Sequence, residues 1–396
     1  MKKLKLFLCC MMTIVQVLGL LSFSLKDESS GTDLSKPYLW NIENLDRLKS
    51  DSNCKKTLKR ILKLSNGYSD LPPIVITDKP HSFVDDYHFY CSVAGYWWAD
   101  SLNTGTYVVK DGGRNPLTKE YDSNRLSELS TRCRYLSVAY YLTGEEKYYN
   151  ALITQLQAWF VDKDTYMYPN FMYASVIPGK NKISGKSSGM IQAYSFIDVI
   201  ESILLVNSIH PLDEGLLLSL QKWFKEFAAW AEYGPFGEAL RRANNNIGVA
   251  YDIILIEMYL FSGEKEKAKM LVDNFADKRL KVQIDSDGKQ PEELKRTNSF
   301  SYSLYNLSHI LDFFFIAEYW YPNYYSDHKV IIDSAYSFLE EYEKDIANYP
   351  YQQIGSWSKC FEQLHFQLIR RERLRGNEVN LFDEANKIIS LNVVLN

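Results

Sequence analysis

Two stretches, Tyr140-Tyr141-Leu142-Thr143-Gly144-Glu145-Glu146-Lys147-Tyr148 and Tyr259-Leu260-Phe261-Ser262-Gly263-Glu264-Lys265-Glu266-Lys267, carry one message twice. Each reads as the apolar end of a helix, a glycine suited to the left-handed C-terminal cap, and a charged start to a second helix. Upstream of the first, Leu129, Cys133, Leu136, Ala139 and Tyr140 recur at helical spacing, and similar periodicity runs through most of the chain. Helical hairpins repeated in this way bury their faces against their neighbours. The pattern therefore predicts an all-α protein, with one toroid or solenoid of hairpins rather than separate globules.

Composition narrows the function. The 396 residues carry 45 Lys and Arg against 49 Asp and Glu, a formal charge of −4. No basic arm or acidic tail appears, which argues against nucleic acid as a partner. Tyrosine stands out with 29 copies, beside 8 Trp and 20 Phe, a load that fills a large core or lines a sugar-binding cleft.

At the amino terminus, Lys2, Lys3 and Lys5 precede an apolar run from Leu6 to Leu21, and Ser22-Phe23-Ser24 presents small residues at the positions a signal peptidase inspects. Residues 1–24 are thus expected to be a signal peptide and 25–396 a single domain, exported to the periplasm or secreted, with no stable membrane insertion once the leader is removed. The alternative for the same run is an uncleaved anchor. Cys54, Cys91, Cys133 and Cys360 would remain in the mature chain. They have no metal-site spacing, and both two disulfides and four buried free thiols are compatible with it.

Loops joining stacked hairpins gather on one face and carry function. Three are prominent: 104–122, rich in Gly, Asn and Pro; 166–189, with Tyr168-Pro169-Asn170 and Ile177-Pro178-Gly179; and Asp285-Ser286-Asp287-Gly288 ahead of Gln290-Pro291-Glu292-Glu293. The last combines an Asp-Gly turn with a proline fit for the first turn of a helix. Asn244-Asn245-Asn246 opens an apolar helix expected over Ile247 to Leu260. Arg296 lies six residues before Tyr302. Taken singly these residues have ordinary roles: an asparagine run caps a helix, Arg296 pairs with Glu292 or Glu293 on the surface, and Tyr302 and Tyr305 form a core stripe. Tyr96, Trp97 and Trp98 cannot all face one core from a helix or strand, which makes them candidates for stacking on sugars.

Several blocks in order resemble the alginate lyase superfamily over roughly residues 86–319. They are Tyr96-Trp97-Trp98 with Gly112-Gly113-Arg114-Asn115-Pro116; Ala158-Trp159-Phe160 with Tyr168-Pro169-Asn170-Phe171-Met172-Tyr173-Ala174 and Ile177-Pro178-Gly179; and Asp287 to Thr297 with Phe300, Tyr302 and Asn306. The resemblance implies an α/α toroid, an incomplete barrel of hairpins with a cleft. It implies a β-elimination on an anionic, uronic-acid polysaccharide without metal or other cofactor. By position it assigns Tyr302, Arg296 and Asn246 to catalysis, with Asn246 neutralising the substrate carboxylate. Tyr96, Trp97, Trp98, Tyr173, Lys186 and Asn245 are the candidates for substrate binding.

One expected residue is different. Where the family commonly has Asn-Asn-His-Gly, this chain has Asn245-Asn246-Ile247-Gly248, and Ile247 can neither accept nor donate a proton. Either Tyr302 serves as base and acid, which requires Arg296 to lower its pKa from the usual value of about 10, or the cleft only binds glycan. His309 lies two turns beyond Tyr302, about 10 Å along a helix, and is expected to be structural. His81 and His88 precede the aromatic block without a defined place. A glycoside hydrolase is the third reading, with a carboxylate pair drawn from Asp252, Asp285, Glu292 and Glu293.

Overall fold

In the computed structural model, the described residues are 34–100, 107–179, 184–377 and 390–395. The expected leader, 1–24, lies outside them. From residue 33 onward the chain forms one compact unit, built mainly from α1 (Ile42–Ser50), α2 (Lys55–Ser69), α3 (Asp122–Thr143), α4 (Glu146–Phe160), α5 (Ser195–Asn207), α6 (Glu214–Tyr233), α7 (Asn246–Phe261), α8 (Lys265–Phe275), α9 (Ser299–Ala317), α10 (Tyr324–Lys344) and α11 (Trp357–Leu374). These pack as an α/α toroid of hairpins.

Both glycine joints form as the sequence predicts. Gly144 has φ +69° and donates its N–H to the Tyr140 carbonyl at 2.7 Å, closing α3 before α4 begins. Gly263, at φ +81°, forms the joint between α7 and α8, its N–H donating to the Leu260 carbonyl at 3.3 Å. Left-handed backbone of this kind costs a residue with a Cβ, which explains the glycine at each joint.

Helix α7 is the axis of the packing. Every residue from Gly248 to Phe261 is buried, and α5, α6, α8 and α9 all touch it. A helix apolar on all sides needs such a central place. The apolar stretch Ser187–Asn207 is long enough to cross a membrane but is 72% buried inside the fold, as a core helix is.

The loops hold short strands that the helical periodicity does not reveal. β1 (Cys91–Val93) pairs in parallel with β4 (Tyr173–Val176), and β2 (Trp97–Ala99) pairs antiparallel with β3 (Tyr107–Val109). Asp122, at the start of α3, accepts from the Cys91 N–H at 2.8 Å and from Lys79 Nζ at 2.7 Å. This buried contact fixes β1 to the helical scaffold. Cys54, Cys91, Cys133 and Cys360 are all buried and free, so the thiol alternative holds and the disulfide one does not.

Candidate active site

A cleft of about 880 Å³ opens where β1–β4, the β2–β3 hairpin and the amino-terminal ends of α7 and α9 converge. Tyr302 stands in the first turn of α9, and Arg296 just ahead of that helix. The Arg296 Nη2 donates to the Tyr302 hydroxyl oxygen at 2.8 Å, and its guanidinium carbon lies 3.8 Å from the Tyr302 ring centre. The six-residue spacing thus yields a direct contact.

Asp111, which the sequence reading did not single out, holds Arg296 in place. It accepts Arg296 Nη2 at 2.5 Å and Nε at 3.1 Å, and also the backbone N–H and hydroxyl of Thr297 at 3.0 and 3.1 Å. The hydrogen bonds from Arg296 lower the Asp111 pKa to about 2, against the opposing effect of burial. Arg296 therefore pairs with Asp111 rather than with Glu292 or Glu293. Glu292 is bonded to Lys295 at the surface.

Tyr96 contributes a second phenol. Its hydroxyl lies 2.6 Å from that of Tyr302, so two potential donors, Arg296 and Tyr96, converge on one oxygen. The electrostatics run against what the base-and-acid reading asks of Tyr302. Burial first, and then the hydrogen bond with Tyr96, push its pKa well above the ordinary phenol range, and the downward pull of Arg296 does not offset them.

Asn246, at the start of α7, is 2% exposed and lines the cleft. Its Nδ2 lies 3.0 and 2.8 Å from the two oxygens of Glu293, and its backbone N–H donates to the same carboxylate at 2.6 Å. Burial raises the Glu293 pKa, and the bonds from Asn246 oppose the rise. Ile247 lines the cleft beside it. Asn245 does not line it: its side chain accepts the Ile247 N–H, as an N-terminal cap, and its carbonyl accepts from Gln283.

The aromatic trio divides. Tyr96 and Trp97 line the cleft, whereas the Trp98 indole donates to the Gly113 carbonyl at 2.7 Å, beneath Lys110. Lys186 lines the cleft with its ammonium 5.1 Å from the Trp97 ring centre. Tyr173 stands outside the lining and packs edge-on against Phe89 at 5.2 Å.

The histidines lie elsewhere. His309 is wedged between Tyr194 and Tyr305 at 4.2 and 4.4 Å, His81 pairs with Glu120 at the surface, and His88 bonds the Tyr166 carbonyl. No cluster of three or more metal-binding side chains occurs among the described residues.

The architecture is that of an α/α toroid with a cleft lined from its loops and helix ends. The alginate lyase family profile matches residues 77–346. Among solved structures, the chain is similar to an alginate lyase from Bacteroides ovatus, with a TM-score of 0.83 and 32% identity over 91% of this chain and 99% of that one. It is also similar in fold to alginate lyase A1-III complexed with a tetrasaccharide, with a TM-score of 0.50 and 14% identity over 93% and 96% of the two chains. No curated protein is similar enough to count as a match. The chain belongs to the alginate lyase family.

Proposed function

We propose that the protein cleaves a uronate polysaccharide of the alginate type by β-elimination, with Tyr302 as both base and acid. The observation that carries this reading is the convergence of Arg296 and Tyr96 on the Tyr302 oxygen, with Arg296 anchored by Asp111. The Arg296 donor stabilises the phenolate when it forms, against the burial and the Tyr96 contact that favour the phenol.

The Tyr302 phenolate takes the C5 proton, the C5–H electron pair becomes the C4–C5 double bond, and the C4–O bond breaks. The departing oxygen then receives the proton from the Tyr302 phenol, which restores the phenolate. Charge building on the uronate carboxylate is met by Asn246: a single N–H aimed between the Glu293 oxygens accounts for both of its distances and leaves the second N–H for substrate. Trp97 and Lys186 offer a stacking face and a cation to the same anionic chain.

A single residue can remove the proton and return it to the leaving oxygen only when both lie on one face of the sugar. That holds for manno- and gluco-configured uronates and fails for gulo-configured ones. With Ile247 at the other expected base position, we expect cleavage of polymannuronate or polyglucuronate and little or none of polyguluronate. In this reading the amino-terminal leader directs the activity outside the cytoplasm.

A hydrolase would need two carboxylates facing the scissile bond. Asp111 is the carboxylate in the described cleft lining and is bonded to Arg296, while Asp252 is locked by Arg279 and Lys278. The test is ultraviolet absorbance of the unsaturated product from the three polymers. A chromophore from the manno- or gluco-configured polymer supports the proposal. New reducing ends without it would overturn the proposal in favour of hydrolysis, and binding without products in favour of a glycan-binding cleft.

A further inference from the structure

Ser175 is the sole non-glycine with positive φ among the described residues, at +57°, and it lines the cleft. It sits where β4 departs from regular pairing: Cys91 faces Tyr173 and Val93 faces Val176, so β4 takes three steps against two on β1. One residue is extra. A bulge of this kind re-aims a side chain, and left-handed backbone at a serine persists only when its surroundings enforce it.

The surroundings do so from two sides. The Ser175 N–H donates to Ser92 Oγ at 2.8 Å. On the other side the chain entering the 3-10 helix Ser187–Tyr194 is pressed onto β4, with the Lys186 N–H donating to the Ala174 carbonyl at 2.9 Å. Gly185 and Gly189 permit this approach, since a Cβ on either would fall 2.4 or 2.8 Å from Ala174 backbone atoms.

The direction of the hydrogen bonds then matters. Tyr90 donates its hydroxyl to Gln192 Oε1 at 2.6 Å, and Gln192 Nε2 donates to Ser175 Oγ at 2.9 Å. The Ser175 oxygen is therefore an acceptor inside the protein. Its own proton has no acceptor among the described residues, although the residue is only 8% exposed. Lys186, on the same wall, adds positive charge to the cleft.

We infer that Ser175 is a substrate-positioning residue whose hydroxyl donates to an acceptor oxygen of a uronate unit bound in the cleft. The inference rests on the uronate-lyase reading above. The bulge aims the hydroxyl, Gln192 and Tyr90 fix its acceptor side, and the substrate supplies the missing acceptor.

The experiment is calorimetric titration of the full chain with an oligosaccharide of the polymer it cleaves, alongside thermal melting and steady-state kinetics. Ser175→Gly takes the left-handed backbone without cost but leaves Gln192 Nε2 without its acceptor, two opposing effects that should hold Tm within about 5 °C of the wild type, while binding weakens about tenfold, the worth of one hydrogen bond to a charged or polar ligand. KM should rise by a similar factor and kcat stay within about twofold. Ser175→Asn, which also tolerates this backbone, guards against a folding artefact of the glycine and should likewise raise KM. Folded variants that bind and turn over like the wild type would overturn the inference and leave the lyase reading intact. A wild type that neither binds nor cleaves any uronate polymer would remove the reading itself, and the inference with it.

Discussion

Asp111 illustrates how a residue outside the reaction sets its geometry. Four hydrogen bonds tie it to Arg296 and Thr297, and through Arg296 it fixes the donor that meets Tyr302. Asp111→Asn keeps the shape but halves the acceptor capacity and removes the charge. It should cut kcat by roughly 10- to 100-fold with a smaller effect on KM, because positioning in the transition state is what is lost. It should also change acid stability. The Asp111 pKa falls to about 2 in the folded protein, against about 3.9 unfolded, so its contribution is present above the unfolded value and lost as pH falls toward the folded one. The variant should flatten that part of the melting curve's pH dependence; an unchanged acid limb would contradict the pairing.

Tyr302 gives the opposite sign. Burial and Tyr96 hold it protonated at neutral pH, so its phenolate fraction, and with it kcat/KM, should climb by up to about tenfold per pH unit through the mildly alkaline range. Tyr96→Phe removes one of the two groups on the phenol oxygen and should displace this profile, whereas a purely stacking role would change KM alone. A profile that is flat from neutral to alkaline pH would rule out the free phenolate as base.

At the scale of elements, the β2–β3 hairpin delivers Tyr96 and Trp97 where it begins and Asp111 just after it ends, side by side at its open end, with the Lys110 N–H on the Tyr96 carbonyl at 2.7 Å. Its exit depends on Gly112, which has φ +75° and whose Cβ would meet Ile354, Thr297 and Asn298 at 2.7–2.9 Å. Gly112→Ala should cost about 1–3 kcal/mol and separate Asp111 from Arg296; urea unfolding with parallel kinetics measures both losses. Helix α7 carries a different strain. Glu257 is fully buried in it, and neither carboxylate oxygen has a hydrogen-bond partner among the described residues. Burial, with Glu201 and Asp312 nearby, raises its pKa well above the carboxylate range. A raised carboxyl binds a proton that the unfolded chain has released, so stability falls as pH rises above the unfolded value of about 4.3. Glu257→Gln should remove this dependence and raise Tm at pH 8; a lower Tm there would contradict a protonated Glu257.

Across the whole molecule, legibility follows sequence distance. The hairpin joints at Gly144 and Gly263 were readable because a helix end, a cap and a helix start are contiguous. The Arg296–Tyr302 contact was readable because six residues span one helix entry. Asp111–Arg296, Tyr96–Tyr302 and Asn246–Glu293 join residues 185, 206 and 47 apart, and only the toroid brings them together. Asp111 did carry a local sign, a carboxylate directly before Gly112-Gly113 in a loop, but nothing named its partner. The arginine that would lower the Tyr302 pKa is visible in the sequence, whereas the burial and the second phenol that raise it are not. Asn245 looked like a cleft amide, yet an asparagine ahead of an apolar helix is equally a cap, and the Ile247 N–H claims it.

The central claim is that Tyr302 moves the proton. The measurement that tests it most directly is kcat of Tyr302→Phe on the polymer the wild type cleaves, with oligosaccharide binding measured on the same preparation. The account predicts a fall of about 10²–10⁴-fold, the worth of general acid–base catalysis, with binding within a few-fold of the wild type. A variant that retains kcat within tenfold while binding normally would contradict it and send the search for the base elsewhere in the cleft.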